Sequence, residues 1–239
     1  MVNRLWQWHF GDGIVRTASN FGVLGERPSH PELLDYLAAK FMQSGWSIKT
    51  IHREILLSAV YQQGNADNPA FAAKDPDNRL LWKFNRRRLD AEALRDSMLY
   101  VAGMLDETSA GQAKPIDEGN HKRTLYGYIS RKKLDNLLTL FDFPNPNQTS
   151  EQRVATNVPL QRLFLLNSPI MLNVAKEMTK RLEATPEPRR IDEAYRLLFN
   201  RSPKPAEKQL GDSYVARGAD AWPEYLQVLL SSNEFLYVN

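Results

Sequence analysis

Among the 239 residues there is no cysteine, and only four are histidine. The missing thiols exclude disulfides, thiolate nucleophiles, cysteine-based zinc sites, iron–sulfur clusters and covalent c-type haem attachment within this chain. Long apolar runs are missing too, and none approaches the ~20 residues of a membrane span. Near the amino end Arg4, His9 and Asp12 interrupt any apolar stretch, so that segment does not read as a signal peptide. Neither sign of charge dominates: 31 basic against 28 acidic residues leave a net charge of +3, too small to imply a nucleic-acid partner by itself. Gly11-Asp12-Gly13 and Gly22-Val23-Leu24-Gly25 fit neither a phosphate loop nor a dinucleotide fingerprint, and there is no G-x-S-x-G elbow.

What is present suits a folded domain. An apolar share of 42% with 25% charged residues is ordinary for a globular chain, and the length can bury a sizeable core. Asn3 to Phe10 reads as one or two helical turns, followed by a glycine-rich loop. Ser29 and Glu32 have capping-box spacing, with Pro31 in the first turn, and Leu33, Leu34, Leu37, Phe41 and Met42 repeat at helical spacing up to Gly45. Ser47 then caps a second helix carrying Ile48, Ile51, Ile55 and Leu56; the short connection predicts a helical hairpin.

Residues 64–77 read as a surface loop, and Asp90 as the N-cap of a third helix with Leu94, Met98, Val101 and Leu105 on one face. Residues 107–122 form a polar loop. Thr124 to Ser130 alternates enough to predict a short extended segment. A longer helix is predicted over 160–182, broken near Pro169, then three shorter ones over 191–199, 206–216 and 222–231, with Gly211 arguing against the middle one. The expected fold is mainly α, an irregular multi-helix bundle with long loops and at most a small β element. It forms a single domain over 1–239 with two possible subclusters, 1–106 and 124–239.

Candidate site residues follow from side-chain chemistry. His30 stands at a helix entrance beside the glycine loop, where an imidazole can accept a proton or bind a metal; the plainer reading is a hydrogen bond to loop backbone that fixes the entrance. Glu92 and Asp96 share a helical face and form a paired-carboxylate candidate for acid–base chemistry, although a structural network is the commoner fate. Arg86, Arg87 and Arg88, near Trp82 and Phe84, suit an anion or a single nucleic-acid strand; the plainer reading pairs them with Asp90, Glu92 and Asp96. His9, His52 and His121 show no metal-ligand spacing, so no metal site is expected. Of the Trp6/Trp8 pair, packing is a commoner fate than stacking on a sugar.

Several ordered stretches resemble one family. They are Asn3-Arg4-Leu5-Trp6, Phe10-Gly11-Asp12-Gly13-Ile14-Val15 and Asn20-Phe21-Gly22, then Pro28-Ser29-His30-Pro31-Glu32-Leu33-Leu34. Asn78-Arg79-Leu80-Leu81-Trp82, Arg86-Arg87-Arg88-Leu89-Asp90-Ala91-Glu92, Leu165-Leu166-Asn167 and the closing Ser232-Asn233-Glu234-Phe235-Leu236-Tyr237-Val238 continue the match. Together they resemble the domain of unknown function 1553, found in large exported proteins of planctomycete type. Asn20 departs from the family, whose members often carry Asp there.

The resemblance implies an exported or periplasmic setting and an unidentified upstream domain of the same protein. It also implies that this chain is part of something longer. A haem would sit on an accompanying cytochrome-c-like domain, with no cofactor in this chain, and a sulfatase-like protein is an implied neighbour. The leading functional reading is an interaction or scaffold module of an exported multidomain protein. The alternatives are an enzyme or enzyme half-site acting on a polyanionic or glycan substrate, and nucleic-acid binding through the basic stretch.

Overall fold

A computed structural model describes residues 1–108, 111–117, 119–218 and 220–238. Among these residues the fold is mainly α, with 13 α-helices, two short 3₁₀ turns and one two-stranded sheet. The chain divides into two compact units, residues 1–87 and 88–238.

The first unit contains α1 (Val2–Phe10), α2 (Pro31–Gln43), α3 (Ile48–Leu57), α4 (Ala59–Gln62) and α5 (Pro69–Ala72). α1, α2 and α3 pack against one another around Leu5, Trp6, Phe10, Leu37, Phe41, Ile51 and Ile55, all buried. The glycine loop after α1 is pinned by Asn3. Its carboxamide accepts from the Val15 N–H at 2.8 Å and donates to the Val15 carbonyl at 2.9 Å. A Cβ on Gly13 would lie 2.6 Å from that carboxamide nitrogen, which explains glycine there.

α2 begins one residue later than its spacing suggested. His30 is its N-cap and Pro31 its first residue, and the expected capping box is absent. The Ser29 hydroxyl instead donates to the Ile14 carbonyl at 3.3 Å and meets His30 Nδ1 at 2.9 Å, so it ties the loop to the helix entrance. The predicted helix pair forms: α2 ends through Gly45 and Trp46, both at positive φ, and Ser47 caps α3 by accepting from the Thr50 N–H.

The second unit contains α6 (Ala91–Val101), α7 (Asn136–Leu140), α8 (Pro159–Asn167), α9 (Pro169–Glu183), α10 (Arg190–Phe199), α11 (Pro205–Val215), α12 (Ala221–Leu230) and α13 (Asn233–Leu236). β1 (Arg87–Arg88) and β2 (Tyr237–Val238) form the sheet. The centre of the second unit is α9, whose Met171, Val174, Ala175, Met178 and Leu182 are fully buried at helical spacing against α6, α8, α10 and α12. Asp90 caps α6 as predicted, and Ser168-Pro169 divides α8 from α9 where the break was expected.

Two expectations in this unit change. Residues 124–130 are not extended throughout: Thr124–Tyr126 is a 3₁₀ turn, because the Thr124 N–H and hydroxyl are both captured by Asp96 at 2.7 Å. Gly211 sits inside α11 without breaking it. A Cβ there would meet the Tyr225 hydroxyl at 2.6 Å and Ile191 at 2.8 Å, so the missing side chain is what lets α11 pack closely.

Candidate functional site

Four helices and one loop of the first unit surround a cavity of about 410 Å³. α1 contributes Trp6, the α2 entrance His30, and α2 itself Leu33, Tyr36 and Leu37; α3 adds Glu54, Ile55 and Leu57, α4 adds Val60, and Leu80 and Leu81 lie on the loop. The amphipathic spacing of α2 and α3 dictates this lining, since the residues that face inward are those repeating every three or four positions. The volume lies within the range of small-ligand sites, and the lining is mostly apolar with a few polar groups, as such sites are.

The Leu80–Leu81 wall is held by unusual backbone. Leu81 has φ 56° and Asn78 φ 49°. A branched apolar residue in the left-handed region costs about 1–2 kcal/mol, so its surroundings must impose it. Asp75 accepts from the N–H groups of Arg79 (3.0 Å) and Leu80 (2.7 Å), and the Gln63 amide donates to the Leu81 carbonyl at 2.7 Å. Asn78, buried, donates to the Lys83 carbonyl at 2.7 Å and to Asn85 Oδ1 at 2.9 Å. Leu80 is thereby left 66% exposed, and Leu57 and Tyr36 are exposed on the same lining.

A smaller hollow of about 30 Å³ shares Trp6, His30 and Leu81 with the large one. Its lining is the more polar of the two, with Asp12, Arg16, Ser29, Asp77, Asn78 and Arg79 beside Phe10 and Ile14, and its size suits about one water. His30 therefore stands where the apolar chamber meets this more polar hollow. Tyr36, Lys40 and Glu54 make a polar edge: Glu54 accepts from the Tyr36 hydroxyl at 3.0 Å and from Lys40 at 2.7 Å. Those bonds hold the Glu54 carboxyl below its ordinary value and Lys40 above its own.

The remaining sequence candidates have other partners. Arg87 donates to the Trp8 carbonyl within the first unit, and Arg86 is exposed. In the second unit Arg88 donates to the Thr156 carbonyl at 2.6 Å and to Gln161, with its guanidinium 5.2 Å over the Phe141 ring. Burial pushes the Arg88 pKa down. The ion pairs foreseen for these arginines are made by others. Glu92 forms a two-point pair with Arg153 at 2.7 Å for each contact, Asp90 lies 3.5 Å from Arg153, and Asp96 lies 3.8 Å from both Arg95 and Arg123. Glu92 and Asp96 are thus committed to structural bonds. Trp6 is buried and stacks on Phe10 at 4.2 Å, while Trp8 is 56% exposed.

Sequence reading missed one contact in particular. His9 on α1 and His52 on α3, 43 positions apart, share a 2.7 Å hydrogen bond between Nε2 and Nδ1. Burial, the His52 ring and the Arg87 guanidinium all push the His9 pKa down. Among the described residues no group of three or more metal-ligating side chains occurs. Among the described residues no helix is long and apolar enough to cross a membrane.

The fold and cavity thus define a mainly helical domain with an apolar chamber in its amino-terminal unit. The chain belongs to the PSD1 family, proteins of unknown function (DUF1553), whose family model matches residues 1–215. No curated protein and no solved structure matches it. The Asn20 side-chain oxygen accepts from the Gly22 N–H at 3.0 Å, a turn-forming bond that an Asp oxygen makes equally well.

Proposed function

We propose that the chain is a noncatalytic interaction module whose amino-terminal unit receives an apolar side chain of a polypeptide partner in the 410 Å³ chamber. The observation that carries this reading is the lining itself, in which Leu57, Leu80 and Tyr36 reach solvent around a deeper wall of Leu37 and Ile55. An apolar anchor entering a preformed pocket with an apolar rim is how polypeptide hot spots bind. The strained Leu81 backbone fits a wall held ready for an occupant. Resemblance to exported multidomain proteins of planctomycete type supports an upstream segment of the same protein as the source of that side chain, in an exported or periplasmic setting.

The test is competition. N-phenyl-1-naphthylamine, a neutral fluorescent probe, is titrated into the protein, and N-acetyl-leucine amide, N-acetyl-tryptophan amide and a heparin oligosaccharide are added as competitors. Displacement by the capped apolar amino acids and not by heparin is expected. Displacement by heparin alone contradicts the reading and favours a polyanionic glycan.

A further inference from the structure

The His9–His52 bond lies on the seam between α1 and α3, and both helices wall the chamber. Trp6 is three residues before His9, and Glu54 and Ile55 follow His52 by two and three. Both rings are half-buried. His9 packs edge-on against His52, with ring centres 4.9 Å apart, and against Tyr61 at 5.5 Å; Tyr61 in turn packs against Phe10 and Phe84. Aromatic walls of this kind reduce, on one side of the pair, the solvent that would screen added charge.

The bond needs one ring nitrogen to donate and the other to accept. With one added proton the pair still has both roles, since a charged ring donates to a neutral one. With two added protons both facing nitrogens carry hydrogen, no acceptor is left, and two cations confront each other. A third cation is already present: Arg87 is anchored on the carbonyl of Trp8, the residue before His9. The charged groups acting on His9 are His52 and Arg87, and both oppose its protonation. On α3 itself Lys49 and Arg53 flank His52, and the neighbouring carboxylate, Glu54, is held by Lys40 and Tyr36 of α2.

We propose that His9 and His52 form a proton-operated latch on the α1–α3 seam, closed when the two rings share a proton and released when both are charged, so that acidification loosens the walls of the chamber. This rests on the chamber being the binding site proposed above. In effect the ligand is held near neutral pH and released in a mildly acidic compartment.

The test uses the whole chain and two readouts. His52→Asn offers an amide where Nδ1 lies, and His9→Gln offers one where Nε2 lies; each can keep the bond and neither titrates. Backbone hydrogen exchange over residues 2–10 and 48–57 is measured at about pH 7.5 and about pH 5, after correction for intrinsic exchange, a span that covers ordinary imidazole titration. Wild type should lose protection in both helices at the lower pH, while either variant keeps it. Affinity for N-phenyl-1-naphthylamine should fall about tenfold in wild type over the same span, the change that one unit of differential proton affinity delivers, and stay level in the variants.

Equal pH dependence of exchange in wild type and in a folded variant overturns the latch. Absence of probe binding at pH 7.5 in all three proteins overturns the chamber as a binding site, and with it the release of ligand. The exchange result then still decides whether the seam itself opens.

Discussion

The Asn3 side chain closes a two-bond ring with the backbone of Val15, twelve residues away, and both residues are buried. The ring welds α1, which carries Trp6, to the glycine loop that leads to His30, and both side chains line the chamber. Asn3→Leu removes both bonds and strands a buried N–H and carbonyl. A loss of about 2–4 kcal/mol is expected from two unmet buried groups. Urea denaturation followed by tryptophan fluorescence measures it, and a loss below about 0.5 kcal/mol would show that water replaces the ring without cost.

At Leu81 two effects oppose each other. Leu81→Gly relieves about 1 kcal/mol of left-handed backbone strain while giving up partly buried apolar contact. Net stability is expected to change by no more than about 1 kcal/mol. Probe affinity should nonetheless fall, because a wall of the chamber is gone. Paired denaturation and probe titration separate the two effects; a large stability loss with unchanged binding would assign Leu81 to the core alone.

Arg95 is 1% exposed and holds the loop after α6 by donating to the carbonyls of Asn120 and Lys122 and to the Thr124 hydroxyl. Burial lowers its pKa, against the pull of Asp96. Arg95→Met keeps much of the apolar stem but orphans those acceptors, and a destabilisation of about 3 kcal/mol or more is expected. Limited proteolysis should then cut within residues 111–127 faster than in wild type. Unchanged cleavage would mean that the loop holds without the guanidinium.

The acid limb of stability has an identifiable source in the second unit. Arg201 grips Glu207 at 2.8 and 2.9 Å and Glu234 at 2.6 and 2.8 Å. The Arg201 hydrogen bonds pull the Glu207 pKa down to about 2 from an ordinary value near 4.5. The folded value is the lower one, so the unfolded chain takes up this proton first on acidification. The contribution is therefore complete above pH 4.5 and drains away as pH falls towards 2. Arg201→Gln should flatten the fall in urea midpoint over that window. An identical slope in the variant would place the acid sensitivity elsewhere.

Much of the helical scaffold is readable from local chemistry. Ser47 and Asp90 are short side chains whose oxygens accept from the Thr50 and Ala93 N–H groups just ahead of apolar periodicity, and Pro169 cannot continue a helix, so α3, α6 and the α8–α9 break follow from neighbours in the chain. Ser29 has the same local signature, yet its hydroxyl is claimed by Ile14 and His30, a tertiary competition that spacing does not reveal. The same holds for residues 124–126, where Asp96 captures Thr124. The chamber is legible only in part: His30 and the Leu33–Leu37 stripe announce themselves, whereas the left-handed Leu81 depends on bonds from Asp75, Gln63 and Asn78. The His9–His52 bond joins two helices through side chains with no motif between them.

The most direct test of the central claim is a probe titration with a chamber-filling variant. Leu33 lines the chamber from α2 and is only half-buried, so Leu33→Trp adds bulk into the space without displacing the packed core. Wild type should bind N-phenyl-1-naphthylamine saturably, one probe per chain, and Leu33→Trp should abolish that binding while the urea midpoint stays unchanged. Equal binding by both proteins, or no saturable binding by wild type, would contradict the account.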